Sequence, residues 1–278
     1  ELGQLQMSDI LKDFSAPALV AAIEANQLEF WVDLARLPQV ELHQDREIMW
    51  FTTGIPFPMC NLVCRAQFEP GDIDAKIEAT LAGFKSRHLP MLWHIGPATR
   101  PADLGKYLTA HSLVHAGDDV GMAVDLLALN EDLPTPPALK IESVSDVVTL
   151  KQWFHAFSLS FELPEFVGQA IFDIDVSSDA WQRLPRRYYI GLLNGEPVAT
   201  AMLFLGAGVA GVYSIGVLPA ARRQGMGMAM TLAPLCEARA MGYRIGILHS
   251  SRMGLGMYRR LGFQEYCGVS DYIWTERS

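Results

Sequence analysis

Cysteine is scarce in this sequence: four residues in 278, at Cys60, Cys64, Cys236 and Cys267. Four thiols do not frame a disulfide-stapled fold at this length. Cys60 and Cys64 have no second ligand pair at the spacing a structural zinc needs, so no metal site is expected and all four are read as reduced. No charge-free run of about 18 apolar residues occurs, so no membrane span is expected. The nearest stretch, Val198 to Leu218, is interrupted by Gly206, Gly208, Gly211 and Gly216 and reads as short strands joined by turns. A basic segment followed by an apolar stretch and a small-residue cleavage site is missing at the start, so no secretory signal is expected and the cytoplasm is the expected compartment. Positive charge is also short, with 22 Lys+Arg against 31 Asp+Glu and a net charge of −9. That balance argues against nucleic acid as a partner, because such binding rests on phosphate neutralisation by Lys and Arg. The phosphate-binding pattern G-x-x-x-x-G-K-[ST] is absent as well, which excludes a P-loop.

Apolar residues make up 50% of the chain and charged residues 19%, enough to build a core and to exclude disorder as the main state. The length suits two domains. Glu131-Asp132-Leu133-Pro134-Thr135-Pro136-Pro137 holds three prolines that cannot continue a helix or a central strand, and it sets an expected boundary between domains 1–137 and 138–278. The halves differ sharply in charge, −10 before the cut and +1 after it. Five arginines of the second half are Arg222, Arg223, Arg252, Arg259 and Arg260, and they suggest an anionic ligand there.

Patterning predicts one or two helices over Leu11 to Ala35, then strands over Arg46 to Thr52 and Met59 to Phe68. A helix follows from Asp72, read as its cap, and then a strand over Met91 to Ile95, a helix over Pro101 to His111 and a strand over Val120 to Leu129. The second half opens with a strand over Leu139 to Val144 and a helix capped at Ser145-Asp146; residues 161 to 184 read as one or two short helices. Asn194-Gly195 predicts a tight hairpin between Tyr188 to Leu193 and Pro197 to Leu205. A strand over Val209 to Val217, a helix from Gly225 to Gly242, a strand over Arg244 to His249, a short helix over Gly254 to Leu261 and a strand over Phe263 to Trp274 complete the chain. Strand, helix, strand, short helix, strand thus recurs at 59–129 and 209–274, consistent with two copies of one α/β fold.

Chemistry concentrates between the strand ending at Val217 and the helix after it: Val217-Leu218-Pro219-Ala220-Ala221-Arg222-Arg223-Gln224-Gly225-Met226-Gly227. Two glycines at i and i+2 let backbone N–H groups approach a ligand, and at a helix N-terminus those unpaired donors and the helix dipole favour a phosphate. Arg222 and Arg223 add forked cationic donors. The literal G-x-G-x-x-G at Gly206 to Gly211 is different: a β-branched and aromatic run follows it where a dinucleotide fold needs a helix, so it reads as a hairpin turn.

Val217-x-Pro219-x-x-Arg222-x-x-Gly225-x-Gly227, followed by Tyr258-Arg259-Arg260-Leu261-Gly262-Phe263, resembles the acetyl-CoA signature of the GNAT superfamily of acyl-CoA N-acyltransferases. The signature spans Ile215 to Phe263, and the element order extends the resemblance over about 138–278. The resemblance implies an α/β architecture of two GNAT-like domains, each a mixed central sheet flanked by helices. It further implies that the amides of Gln224, Gly225, Met226, Gly227 and Met228 hold the CoA pyrophosphate, with Arg222 and Arg223 at the phosphates. Ile215 and Val217 would pair through their main chain with the pantetheine arm, in a splay beside the strand ending at His249. Ser251 stands where many members have a cofactor-contacting asparagine. Tyr258 is the implied general acid, because a phenol with a pKa near 10 suits protonation of the departing CoA thiolate.

The sequence departs from the family pattern in lacking a carboxylate on the strand Val209 to Val217; Glu162, Glu165, His249 or water alone are the alternatives for the base. Pro234 falls inside the following helix and predicts a kink. In the first half, laying Ser112-Leu113 over Gly262-Phe263 puts Leu108 at the tyrosine position with Tyr107 one residue out of register, and no arginine-glycine loop follows Phe68. That half therefore reads as a degenerate copy without CoA binding, contributing a wall for the acceptor from among Met59 to Cys64, Trp93-His94 and Met122 to Asp125. Its negative charge favours a cationic amine. The expected activity is acetyl transfer from acetyl-CoA to an amine of a small molecule or peptide, the acceptor and the oligomeric state being unspecified. A non-catalytic acyl-CoA-binding or regulatory module is the alternative, and a structural protein with a relic loop is a third reading.

Overall fold

The computed structural model describes residues 10–132, 134 and 136–276. Leu133 and Thr135 of the proline-rich break lie outside the described residues, as does the N-terminal stretch on which the leader expectation rests. The elements, in order, are α1 (Ala16–Leu34), β1 (Glu41–Gln44), β2 (Met49–Thr52), β3 (Asn61–Cys64), α2 (Ile73–Lys85), β4 (Met91–Ile95), α3 (Leu104–Ala110) and β5 (Val114–Asp125). Then come β6 (Leu139–Ser143), α4 (Val147–Ser160), α5 (Glu165–Val176), β7 (Arg186–Leu193), β8 (Glu196–Gly206), β9 (Val209–Val217), α6 (Met226–Ala240), β10 (Ile245–Ser251), α7 (Leu255–Leu261) and β11 (Gln264–Trp274). Among the described residues no helix is long and apolar enough to cross a membrane.

The chain divides into two compact units. The larger takes the chain up to Phe30 and Gly121–Tyr266; the smaller takes Trp31–Val120 and the chain from Cys267 on. The repeat explains this division. β3-α2-β4-α3-β5 and β9-α6-β10-α7-β11 run in the same order, as expected, but each last strand completes the sheet of the other half. In the larger unit the order is β10-β9-β8-β7-β6, with the Gly121–Asp125 part of β5 beside β10. In the smaller unit it is β1-β2-β3-β4-β11. Both sheets are mixed: β9–β10 and β3–β4 are parallel, whereas β6–β7, β7–β8, β8–β9, β1–β2, β2–β3 and β4–β11 are antiparallel.

Local chemistry accounts for most of the larger unit. Asn194 and Gly195 take φ of 54° and 88°, the left-handed pair that a two-residue hairpin needs between β7 and β8. Ala207 and Gly208 (φ 50° and 72°) do the same between β8 and β9, so the G-x-G-x-x-G match is a hairpin turn. Asp146 caps α4 by accepting from Thr149 N at 2.8 Å. Trp153 seats that helix on the sheet, its Nε1 donating to the carbonyls of Tyr189 (3.0 Å) and Ala201 (3.2 Å). Its ring sits in an aromatic cluster with Phe154, Phe157 and Tyr188. α6 continues through Pro234 as one element.

α1 carries the one fully buried asparagine side chain on its sequence, Asn26. Its Nδ2 donates to Gly206 O at 2.9 Å and its Oδ1 accepts from the Tyr213 hydroxyl at 2.7 Å, tying the helix to the β8–β9 turn. Phe30 stacks on Tyr213, with ring centroids 4.8 Å apart.

In the smaller unit Ile73, Ile77, Leu81 and Phe84 of α2 are buried with Trp93, Leu104 and Leu108 in one core. Asp72 precedes α2 as expected, but at φ −116° and ψ 0° its side chain makes no cap hydrogen bond, because the extended backbone that aims a capping side chain is missing. β5 begins six residues before its expected start, and β1 is a strand of four exposed, largely polar residues that periodicity does not flag.

Two tests follow from this packing. Asn26→Ala strands the Tyr213 hydroxyl and the Gly206 carbonyl and should cost about 2–4 kcal/mol in a urea titration. The second test concerns Asp119, whose carboxyl is pushed above its ordinary value by burial and by the charge of Asp271, against a smaller opposing effect of His94 and with Asp118 adding to the rise. A raised folded-state value gives stability that is present at acid pH and lost as pH climbs through it. Asp119→Asn should therefore raise the melting temperature at pH 7 by about 1–3 °C, with the gain vanishing as pH falls toward the ordinary carboxylate range.

Candidate active site

The site is built on β9. Its antiparallel pairing with β8 runs its whole length but slips between Thr200 and Met202, where Ser214 takes φ 52° in a β-bulge. Thr200 Oγ1 steadies the bulge by donating to Ser214 O at 2.9 Å. On the other edge, parallel pairing with β10 is confined to Ala210↔Gly246 and Gly211↔Ile247. Beyond Gly211 the two strands part, and among the described residues Tyr213–Val217, with Ile215 and Val217 in it, has no strand on that edge. The expected splay is thus a geometric feature of the fold.

The chain leaves β9 through a 3-10 turn at Pro219–Ala221, passes Arg223 at φ 64° and Gly225 at φ 84°, and enters α6. Gly225 needs to be glycine twice over: its φ lies in the left-handed region, and a Cβ there would lie 2.7 Å from the carbonyl oxygen of Pro134. Among the described residues no side chain caps α6, and Ala229 N bonds back to Gly225 O at 3.2 Å. The N–H groups of Met226, Gly227 and Met228 therefore head the helix uncapped, the arrangement that binds a phosphate. Arg223 and Gln224 are exposed at the loop. Arg222 has a structural task too: its Nε donates to Val217 O at 3.1 Å and its Nη2 to Ser160 O at 3.0 Å. Only its remaining N–H groups are left to face an anion.

α7 lies against the first turn of α6, where a Cβ on Gly227 would come 2.9 Å from Met257 Sδ. Tyr258 on α7 is 7% exposed, its ring edge-on to Phe263 with centroids 5.9 Å apart. Gly254 opens the way for this ring: a Cβ there would lie 2.9 Å from both Tyr258 Cε2 and Ser250 Oγ. Gly262, at φ 102°, ends the helix and returns Phe263 N to Tyr258 O at 3.1 Å. Ser251 ends β10, its carbonyl accepting from Ser250 Oγ (2.8 Å) and Gly254 N (3.0 Å). The structure thus brings Ile215, Val217, the glycine loop and Tyr258 onto adjoining elements of one unit.

Other candidates are placed elsewhere. Glu162 and Glu165 are exposed, Glu165 in the first turn of α5. His249 is half-buried on β10. Arg259 pairs with Glu265, Nε to Oε1 2.7 Å, on an exposed face. In the smaller unit Trp93 is core, while His94 is buried with Nδ1 2.8 Å from Asp271 Oδ1 and its ring edge-on to Trp31. Leu108 is buried where the second half has Tyr258. Among the described residues no three His, Cys, Asp or Glu side chains converge as a metal site. The Ser214 bulge was missed from the sequence; Ser214 and Gly216, small residues in an apolar run, are its sole local sign.

Residues 185–265 match the family model described as the acetyltransferase (GNAT) domain. No curated protein matches the chain. Among solved structures it is similar to a GCN5-related N-acetyltransferase from Kribbella flavida, at 18% identity and TM-score 0.68 over 93% of this chain and 96% of that one. It is also similar to a GCN5-related N-acetyltransferase from Sphaerobacter thermophilus, at 15% identity and TM-score 0.61 over 93% and 92%. A tandem GNAT protein from the clavulanic acid biosynthesis pathway matches at 13% identity and TM-score 0.58 over 95% of each chain. At these identities the likeness is one of fold.

The loop geometry is testable without ligand. Gly225→Ala should cost about 1–2 kcal/mol through its left-handed backbone and the Pro134 carbonyl. Gly256→Ala, within α7 and with nothing within 4 Å of the added Cβ, should be neutral or stabilise by up to about 1 kcal/mol. Denaturant titrations of the two variants check the contrast.

Proposed function

With a GNAT acetyltransferase domain over residues 185–265 as the premise, we propose that the chain is an N-acetyltransferase that moves the acetyl group of acetyl-CoA to an amine of a small molecule or peptide. One observation carries the reading: a strand edge left open by the parting of β9 from β10 leads straight to the N-terminus of α6, which no side chain caps among the described residues. A linear molecule with amides along its length and a pyrophosphate at one end matches that sequence of donors and acceptors.

In this reading the amides from Gln224 to Met228 hold the pyrophosphate, aided by Arg223 and the outer N–H groups of Arg222. The main chain at Ile215 and Val217 pairs with the pantetheine arm, and Ser251 borders it. Acetyl-CoA, when bound, supplies the activated thioester. The neutral amine attacks its carbonyl carbon, the C–S bond breaks, and Tyr258 gives its phenolic proton to the departing sulfur. The attacking nitrogen loses its extra proton to water, since β9 carries no carboxylate and Glu162 and Glu165 are solvated. In the same reading 1–137 is a degenerate GNAT-like domain and 138–278 the acetyl-CoA-binding catalytic domain: the core of the first has Leu108 in place of a phenol and it lacks the arginine-glycine loop.

Calorimetric titration with acetyl-CoA, followed by thiol release across a panel of amines, tests the assignment. Gly225→Val should abolish binding, and unchanged affinity would refute the loop's role. Tyr258→Phe should keep binding and lower turnover by about 10- to 10⁴-fold, whereas unaltered turnover would leave Tyr258 a packing residue. Binding without thiol release from any amine would favour the non-catalytic module.

A further inference from the structure

Ser160, the last residue of α4, is 7% exposed, and its Oγ is buried without a hydrogen-bond partner among the described residues. That is unusual for a helix serine. Two residues earlier, Ser158 Oγ meets its need in the ordinary way, donating to the carbonyl of Phe154 one turn back at 2.9 Å. Ser160 does not turn back in this manner. Buried polar groups are nearly always paired, and one left open in a well-packed place is a sign of a partner that binds there.

The surroundings say where that partner lies. A Cβ built on Gly216 would fall 2.7 Å from Ser160 Cβ, 2.9 Å from the Phe161 ring and 3.0 Å from Thr200 Oγ1. The end of α4 therefore rests directly on β9 within the stretch that has no strand on its β10 side. Thr200 does not satisfy Ser160, since its hydroxyl serves Ser214 O. The Ser160 backbone is fixed in turn: its carbonyl accepts from Arg222 Nη2 while Arg222 Nε holds Val217 O. Arg222 thus links the last turn of α4, the end of β9 and the glycine loop. Nothing in this packing calls for a hydroxyl, because alanine would fill the same space and is the better helix former.

We propose that Ser160 is a positioning residue for the acyl donor, its hydroxyl donating to an amide carbonyl of the pantetheine arm laid along β9. The inference rests on the acetyl-CoA reading above and adds to it a side-chain contact from α4. Gly216 is then glycine so that the helix end comes close enough to the strand for this contact, and Arg222 holds the helix end at that height. The hydrogen bond contributes in the complex alone; in the free protein the unpaired hydroxyl is a burden.

This gives opposite signs for stability and affinity, which a merely structural serine does not show. Ser160→Ala should melt at the same temperature as wild type or higher without ligand. Its calorimetric Kd for acetyl-CoA should rise by about 5- to 10-fold, the worth of one ordinary hydrogen bond. Its Kd for adenosine 3′-phosphate 5′-diphosphate, which keeps the pyrophosphate and lacks the arm, should be unchanged. A lower melting temperature with equal weakening toward both ligands would overturn the proposal in favour of a packing role, and an unchanged Kd for acetyl-CoA would overturn it outright. Failure of wild type to bind either nucleotide would instead refute the acetyl-CoA reading, and the Ser160 contact with it.

Discussion

A strand inside a sheet ordinarily has both backbone edges paired, and the second half of β9 does not. The parallel ladder to β10 lasts for Ala210 and Gly211, and among the described residues the rest of the strand to Val217 pairs with β8 alone. Unpaired backbone groups are costly to bury, so an open edge within a fold is kept where something else pairs with it. The rest of the larger unit is arranged around that edge. The bulge at Ser214 changes the register on the β8 side, Arg222 anchors the end of the strand, and the chain then turns through Gly225 into a helix with an uncapped first turn. α7 lies against that first turn and carries Tyr258.

The smaller unit repeats the order of elements without that outcome. β3 leads to α2 through a segment with a single glycine, Gly71, and no counterpart to the Arg222-x-x-Gly-x-Gly loop, and a buried residue on α3 is Leu108 where α7 has a tyrosine. What it has instead is a buried imidazole, His94, paired with Asp271, and a neighbouring carboxyl at Asp119 that burial makes reluctant to ionise. Completion of each unit by the last strand of the other half, β5 in one and β11 in the other, makes the two repeats interdependent. Neither half of the chain holds a full sheet by itself.

What was legible in the sequence was local. Asn194-Gly195 specifies a turn through its own backbone preferences, Asp146 reaches a donor three residues on, and the alternation from Val209 and the glycines at 225 and 227 mark a strand and a helix start. The same locality explains the error at Asp72, where residue type suggested a cap and the backbone angles do not permit one. What was not legible depends on partners far along the chain. Asn26 reads as one polar residue in a helix until Gly206 and Tyr213 are brought to it, and Ser160 reads as a helix end until it is set on Gly216. Strand exchange is of this kind too: Pro134, Pro136 and Pro137 mark where helix and strand stop, and carry no information about which sheet a later strand joins.

The measurement that bears most directly on the central claim is backbone amide hydrogen exchange with and without acetyl-CoA. The open edge and the uncapped helix start should respond together, with exchange slowed on addition of acetyl-CoA in Tyr213–Val217 and in Met226 to Met228. Protection confined to other segments, or none at saturating ligand, would contradict the account of β9 as the strand that receives the acyl donor.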